Sequence, residues 1–310
     1  MELPEKIAVL AIGGNAIGSK SRTFDSQYNA IRNAIKEIAG LVKEGYKIVI
    51  THGNGPQVGD ALLRNEYTRE LIPPLPLYAC VAGTQGVLGA MIQMALLDIL
   101  GRDYNVASLI TAVTVSEKDP AFRNPTKPIG PTLGKEEISK IKKAEPSASF
   151  MEITSEKYRR VVPSPEPISI LELKAIKKLI EDDYIVIACG GGGIPVTNEN
   201  KINFTETVID KDLTSELLAT GIGASVFVNL TDVAGAYVNF KSKNKKLLRK
   251  IKVEKMKELL KDGNFEEGSM EPKIRAAVRF VENTGNKAVI ASIKKTRNAV
   301  NLKTGTIVYK

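Results

Sequence analysis

Short, uninterrupted apolar runs that end at glycine, alternating with stretches of helical periodicity, constrain this chain more than any other feature. The first run, Ile7-Ala-Val-Leu-Ala-Ile12, stops at Gly13-Gly14. A run this short, without polar alternation, is a strand covered on both faces. From Tyr28 to Lys43, Ile31, Ile35, Ile38 and Val42 recur at helical spacing, with Gly45 as the stop signal. Lys47-Ile-Val-Ile-Thr51 is a second buried strand. The alternation continues with a helix from about Thr84 to Leu100 and a strand from Val106 to Val115, then a helix from about Ile170 to Glu181 and a strand from Tyr184 to Ala188. It closes with a helix near Leu213 to Thr220 before Ser225 to Leu230, and another from Lys273 to Glu282 before Lys287 to Ala291. Strand, helix and strand in this order predict an α/β fold with a mostly parallel sheet covered by helices on both faces.

One region breaks the rhythm. From Glu117 to Pro167 the chain is rich in proline and shows a single helical stretch, Lys135 to Lys143. The pattern predicts an excursion from the sheet, a protruding lid over 117–167 inside one domain that spans 1–310, because long insertions in compact domains are usually functional. Neither an internal repeat nor a linker between separate domains is evident.

Composition narrows the function. No apolar stretch of about 18 or more residues occurs, and the N-terminal Met-Glu-Leu-Pro-Glu-Lys lacks a signal-peptide core, so a cytoplasmic protein outside the membrane is expected. Cys80 and Cys189 stand apart in apolar surroundings and His52 is the single histidine, which argues for buried thiols and against a zinc centre. The net charge is +9, but apart from Lys241-Ser-Lys-Asn-Lys-Lys246 the basic residues are dispersed, and aromatics make up only 5%. Without stacking platforms or an RNA-reading motif, nucleic acid is not an expected partner, and the excess charge suits a small polyanion.

Three glycine-rich segments follow strands: Gly13-Gly-Asn-Ala16, His52-Gly-Asn-Gly-Pro-Gln-Val58 and Gly190-Gly-Gly-Gly-Ile-Pro-Val196. In an open α/β sheet they fall on one edge, beyond the carboxyl ends of the strands, where ligands bind. Glycine allows backbone N–H groups to approach an anion, and a following helix N-terminus adds a favourable dipole. The familiar nucleotide motifs are missing. Gly13 and Gly18 have P-loop spacing, yet Ser19 stands where lysine is needed and Lys20 is displaced by one, and no GxGxxG occurs.

At this point the chain resembles carbamate kinase, within the amino-acid kinase superfamily. The resemblance rests on His52-Gly-Asn-Gly-Pro-Gln-Val58, Asn124-Pro-Thr-Lys-Pro-Ile-Gly-Pro131, Arg159-Arg-Val-Val-Pro-Ser-Pro165, Val208-Ile-Asp-Lys-Asp-Leu213 and Gly268-Ser-Met-Glu-Pro-Lys273, together with the glycine segments and Thr304-Gly-Thr306. It implies a three-layer αβα sandwich of about eight strands, a homodimer, ATP/ADP with Mg2+, and reversible phosphoryl transfer between ATP and carbamate. It also implies roles. Gly13, Gly14 and Asn15 would cradle phosphates, and Gly53, Asn54 and Gly55 would face the acceptor. Lys127 would reach from the lid, Lys211 and Lys273 would contact nucleotide phosphates, and Asp212 would hold the lysines. Thr231, Asp232, Val233 and Met270 would border adenine and ribose. No protein side chain is singled out as a metal ligand.

Lysines and backbone amides without a nucleophile suit phosphoryl transfer, which needs positioning and positive charge. Carbamate brings its own nucleophilic oxygen, so a structural role is expected for His52. Two features depart from the family. Ser155-Glu-Lys-Tyr158 replaces a Gly-Arg-Gly-Trp segment, and Tyr78 stands where many members have aspartate, at the acceptor pocket or a subunit contact. Two alternatives stay open. One is a related kinase for another small carboxylate acceptor, including a larger acid whose second carboxylate would be met by Arg159 or Arg160; the other is a nucleotide-binding regulator without catalysis.

Overall fold

The apolar runs lie side by side. The computed structural model describes residues 6–14, 23–199, 201–240 and 242–310. Eight strands make the main sheet: β1 (Ile7–Ile12), β2 (Lys47–His52), β3 (Val106–Ser108), β4 (Ile185–Ile187), β5 (Val226–Thr231), β6 (Lys250–Lys252), β7 (Lys287–Ser292) and β8 (Thr306–Tyr309). Their lateral order is β6-β8-β7-β5-β1-β2-β4-β3. β1 is central and buried along its length, with Leu10 in parallel register with Val228 on one side and Ile50 on the other. β8 runs antiparallel to β7 and carries β6 alongside it, so only this edge departs from the parallel arrangement.

Alternate residues of the strands feed two cores. The longer helices are α1 (Phe24–Lys43), α2 (Gly55–Thr68), α3 (Leu77–Leu100), α4 (Lys135–Ala144), α5 (Leu173–Glu181), α6 (Lys211–Gly221), α7 (Val253–Lys261) and α8 (Met270–Thr284). On one face Ile35 and Ile38 of α1 and Leu88 and Ile92 of α3 pack on Ala8, Leu10 and Ile12. On the other face Leu218 of α6, Met256 of α7 and Ile274 and Phe280 of α8 pack on Val9, Ala11 and Phe227. The rings of Phe227 and Phe280 meet at 5.6 Å, and each buried side chain of this size stabilises the fold by about 1.5–3 kcal/mol. The result is a three-layer αβα sandwich. α3 is long and apolar enough by composition to cross a membrane, but more than half of its apolar window is buried inside this fold.

Three differences from the sequence expectation have physical causes. The strand predicted over Val106 to Val115 is interrupted. Thr111 gives its backbone N–H to Gln85 Oε1 (2.9 Å), so a side chain of α3 takes the donor a ladder would have used, while its carbonyl accepts from both Gln85 Nε2 (3.1 Å) and Ile194 N–H (2.8 Å) of the second sheet. Beyond that point Ala112–Thr114 joins a separate sheet beside Ile194–Thr197. Second, the segment read as a glycine loop at 52–58 becomes α2 from Gly55, started by Pro56 in the first turn. Third, α7, β6 and β8 form where no element is expected, and the two strands, of three and four residues, are too short for periodicity to reveal.

The excursion contains a three-stranded antiparallel sheet, Lys127–Leu133, Ser149–Thr154 and Lys157–Val162, and α4 packs on it around Leu133, Ile141 and Ala148. It meets the main body where Gly130, at φ +70°, crosses Gly59 of α2 backbone to backbone. A Cβ on Gly59 would lie 1.8 Å from Gly130 Cα. No rotamer relieves such a clash, so Gly59→Ala should lower the unfolding free energy by about 1–3 kcal/mol, the usual cost of overpacking. Urea denaturation measures this, and an unchanged midpoint would show that the two backbones do not touch.

Candidate functional site

The carboxyl ends of β1, β2, β4 and β5 face one edge of the sheet, as parallel pairing requires. Gly13 donates its N–H to Leu230 O (2.9 Å) and Gly53 donates to Ile12 O (2.9 Å), so each loop is braced on the neighbouring strand end. The first two loops are pressed together. A Cβ on Gly53 would come within 2.9 Å of Gly14 N, so glycine is required there. The third segment behaves differently from a phosphate cradle. Gly190 to Gly193 are buried, with Gly191, Gly192 and Gly193 at φ +66°, +94° and +89°. Added Cβ atoms at Gly190 and Gly191 would strike His52 and Asn54 at 2.5 and 2.2 Å. This run therefore backs the second loop by close packing. Asn15 of the first loop, like Ala16, Gly18, Ser19 and Lys20, lies outside the described residues.

Three lysines from distant parts of the sequence meet at this edge. Lys211 opens α6 and is buried; its Nζ donates to Asp212 Oδ1 (2.6 Å) and to Ala11 O at the end of β1 (3.3 Å). Lys273, in the first turns of α8, donates to Asp212 Oδ2 (3.0 Å) and Ser269 O (3.1 Å). Lys127, the first residue of the excursion sheet, pairs with Asp210 Oδ2. Asp210 is the N-cap of α6, its other oxygen accepting from Asp212 N–H (2.8 Å). Two carboxylates thus chain three ammonium groups together, leaving positive charge in excess.

The electrostatics follow from the burial. Burial by itself would raise the Asp212 carboxyl, but Lys211 and then Lys273 outweigh it and hold the group far below the usual carboxylate range. Burial pulls Lys211 below an ordinary lysine, against the attraction of Asp212. For Lys273 burial also opposes the charge, and Asp212, with help from Asp210 and Asp232, more than compensates and keeps it above the normal value. Groups so arranged would stabilise charge spread over several oxygens.

Asn54 is buried and donates from Nδ2 to Thr84 Oγ1 of α3 (2.8 Å), so this side chain serves to set the loop. Gly55 begins α2, with its N-terminal turn facing the same edge as the loops. Thr231 Oγ1 donates to Asp232 Oδ1 (3.0 Å) at the end of β5, Val233 follows half-buried, and Met270 packs half-buried at the start of α8. Of these, Asp232 acts electrostatically on Lys273, and Met270 precedes Lys273 by three residues at the start of the same helix.

Neither arginine of the pair at 159–160 is free for a substrate carboxylate. Arg159 donates to Gly130 O (3.1 Å) and Pro128 O (3.4 Å), and Arg160 is engaged by Glu145. Tyr78 stacks on Phe204 with centroids 4.6 Å apart, which places it against a surface hairpin. Ser155 and Glu156 form the exposed turn between two excursion strands, Glu156 at φ +59°, and Lys157 and Tyr158 open the second strand. Both cysteines are buried free thiols, Cys189 pushed up to about 12 by burial. The residue that sequence reading left out of the site is Asp210. Its signal was present: an aspartate directly before a helix is a capping residue, and its second oxygen is then available.

The amino acid kinase family matches residues 6–292 of the chain. The carbamate kinase of Oenococcus oeni is 41% identical over 307 residues, covering 97% of this chain and 98% of the relative. That of Pyrococcus horikoshii is 43% identical over 312 residues, covering 98% and 99%. Among solved structures, carbamate kinase from Giardia lamblia bound to AMP-PNP is similar at a TM-score of 0.91 and 39% identity, with 99% of each chain covered. Isopentenyl phosphate kinase from T. acidophilum, at 16% identity and a TM-score of 0.55, shares the fold. The chain belongs to the amino acid kinase family, and within it to the carbamate kinases.

His52 provides a direct check on how dry the site is. Burial, reinforced by the Lys211 charge and only partly opposed by the Gly53 carbonyl, lowers its pKa from 6.5 to about 4. A histidine depressed in the folded state binds fewer protons than in the unfolded one, so its contribution to stability is complete above about pH 6.5 and is lost as pH falls towards 4. NMR titration of the single imidazole should therefore show no protonation down to about pH 5, and a midpoint near the normal histidine value would mean that water reaches this loop.

Proposed function

We propose that this chain catalyses the reversible transfer of a phosphoryl group between ATP and carbamate, forming ADP and carbamoyl phosphate. The observation that supports this most is the convergence of Lys127, Lys211 and Lys273 on Asp210 and Asp212, beside Gly13-Gly14 and the loop at 53–55. A carbamate oxygen attacks the γ-phosphorus in line, a P–O bond forms, and the bond to the β-phosphate oxygen breaks, its electron pair leaving with ADP. No covalent enzyme intermediate and no general base are needed, and His52 stays neutral inside the loop.

Lys211 and Lys273 lie where they can hold the β- and γ-phosphates, with Asp212 keeping both fixed. The backbone of Gly13 and Gly14 would face the phosphates, while Gly53, Asn54 and Gly55 shape the acceptor side. Lys127 closes the site from the excursion, which acts as a lid over 117–167, and exchanges its contact with Asp210 for the transferring group. Thr231, Asp232, Val233 and Met270 border the nucleoside. Asp210 and Asp212 already accept from ammonium groups, which suits a magnesium ion arriving on the phosphate oxygens and not on a protein cage. When bound it neutralises charge between the β- and γ-phosphates. Carbamate fits better than a larger acid, because Arg159 and Arg160 are both committed within the excursion. The intact cation set favours an enzyme over a silent regulator, and such an ATP-linked activity belongs in the cytoplasm.

A homodimer completes the proposal. Gly83, Val87, Ala90 and Met94 form an exposed stripe of small and apolar residues along α3, with Val87 52% and Met94 49% exposed. Such a stripe suits close packing against α3 of a second copy.

Two measurements test these points. ATP formation from ADP and carbamoyl phosphate should be strong for the native chain and fall about 10²- to 10³-fold in Lys127→Ala or Lys273→Ala, the usual consequence of removing one donor to a transition-state charge. Absence of ATP formation would overturn the activity, and turnover confined to a bulkier acid would displace carbamate. Light scattering should give twice the chain mass of 33.6 kDa, with Val87→Glu and Met94→Glu together returning the monomer; a native monomer would refute the dimer.

A further inference from the structure

The geometry points to Glu166 as a positioning residue for the phosphoryl transfer: it ties the root of the excursion to α8, and through that root seats Lys127. This inference rests on the role proposed for Lys127.

The excursion leaves and rejoins the body through two segments that are stapled to each other. Asp119 on the outgoing side accepts Ala121 N–H through Oδ1 (2.8 Å) and Glu166 N–H, on the returning side, through Oδ2 (2.9 Å). Glu166 sits between Pro165 and Pro167, and proline on each side stiffens the backbone that presents its carboxylate. That carboxylate is gripped by two arginines of α8. Arg279 Nη1 donates to Oε2 (2.7 Å) and Arg275 Nη2 to Oε1. The arginines are four residues apart, on one face of the helix, and Lys273 lies two residues before Arg275.

One helix therefore holds both the root of the excursion and a lysine of the site. The returning segment has a second anchor, since Pro163 O accepts the N–H of Val208 (3.1 Å), two residues before Asp210, the partner of Lys127. With Asp119 joining the two roots, the start of the excursion sheet at Lys127 is referenced to the same frame as Asp212 and Lys273. Glu216 does not compete for the arginines at hydrogen-bond distance; it accepts from Thr220 (2.7 Å) and Asn283 (3.2 Å). The Glu166 pairs are partly exposed, with side-chain exposures of 43%, 32% and 39% for Glu166, Arg275 and Arg279, and pairs of that kind add little to global stability. Their consequence is geometric. A shift of about 1 Å in a positioned group can slow a reaction ~10²-fold.

The test is a double-mutant cycle read in the ATP-forming assay, with ADP affinity measured by calorimetry. Glu166→Ala should lower kcat roughly 10-fold, within the range that misplacement of a positioned group allows. ADP affinity should stay nearly unchanged, because Lys211 and Lys273 keep their own partners. In a Lys127→Ala background the same change should have no further effect, since residues acting through one another are not additive. If Lys127→Ala lowers turnover but Glu166→Ala leaves kcat intact, or the two losses multiply, Glu166 does not act through Lys127 and the inference falls while the site stands. If Lys127→Ala itself has no effect, the role of Lys127 falls and the inference with it. Should Glu166→Ala not fold, Arg275→Gln combined with Arg279→Gln removes the same grip from the other side, with the same outcomes required.

Discussion

Asp212 holds two ammonium groups where water barely reaches, and the arrangement of the site depends on that contact. It lies in the first turn of α6 and is 3% exposed; one oxygen takes Lys211 and the other Lys273 of α8. Without it two buried like charges would face each other across the ends of β1 and β5. With it the beginnings of two helices from different parts of the chain are locked together. Buried ion pairs seldom stabilise a fold relative to well-packed apolar groups, because desolvation offsets much of their attraction. Their presence makes sense as preorganisation: the cations are already desolvated and oriented before a phosphate arrives.

The space around these cations is made by backbone. Gly53 lies so close to the Gly14 backbone that a side chain on Gly53 is not tolerated, and Gly190 and Gly191 leave room for His52 and Asn54. Parallel strand pairing puts all of these segments on one edge, but their roles divide. The first two meet backbone to backbone at Gly14 and Gly53 near Lys211, while the third run fixes the second from behind. A neutral His52 and an Asn54 tied to Thr84 then keep this loop rigid without adding charge.

Lys127 differs from the other two lysines in how it is carried. It belongs to a small sheet with its own apolar cluster, attached to the body at the Gly59–Gly130 crossing, at the roots near Asp119 and Glu166, and at Asp210. Only the last of these contacts involves a side chain of the proposed chemistry. A polyanion that draws Lys127 away from Asp210 would leave the structural attachments in place, which is the property wanted in a closing element.

The amino-acid sequence alone sufficed for the layers of the fold and for most candidate side chains. β1 spans the predicted Ile7–Ile12, and β2 and β7 end one residue beyond their predicted limits, because a strand buried on both faces writes its length directly in its composition. Lys127, Lys211, Lys273 and Asp212 stand in recognisable local strings, as do Gly13 and Gly53. Tertiary structure alone decided that Gln85 would interrupt the strand after Ser108, that Asp210 would meet a lysine 83 residues away, and that Glu166 would be held by α8 more than a hundred residues later. Periodicity and capping record what neighbours in the chain do to one another. Which carboxylate faces which cation depends on how the layers pack, and no local pattern of residues contains that distance.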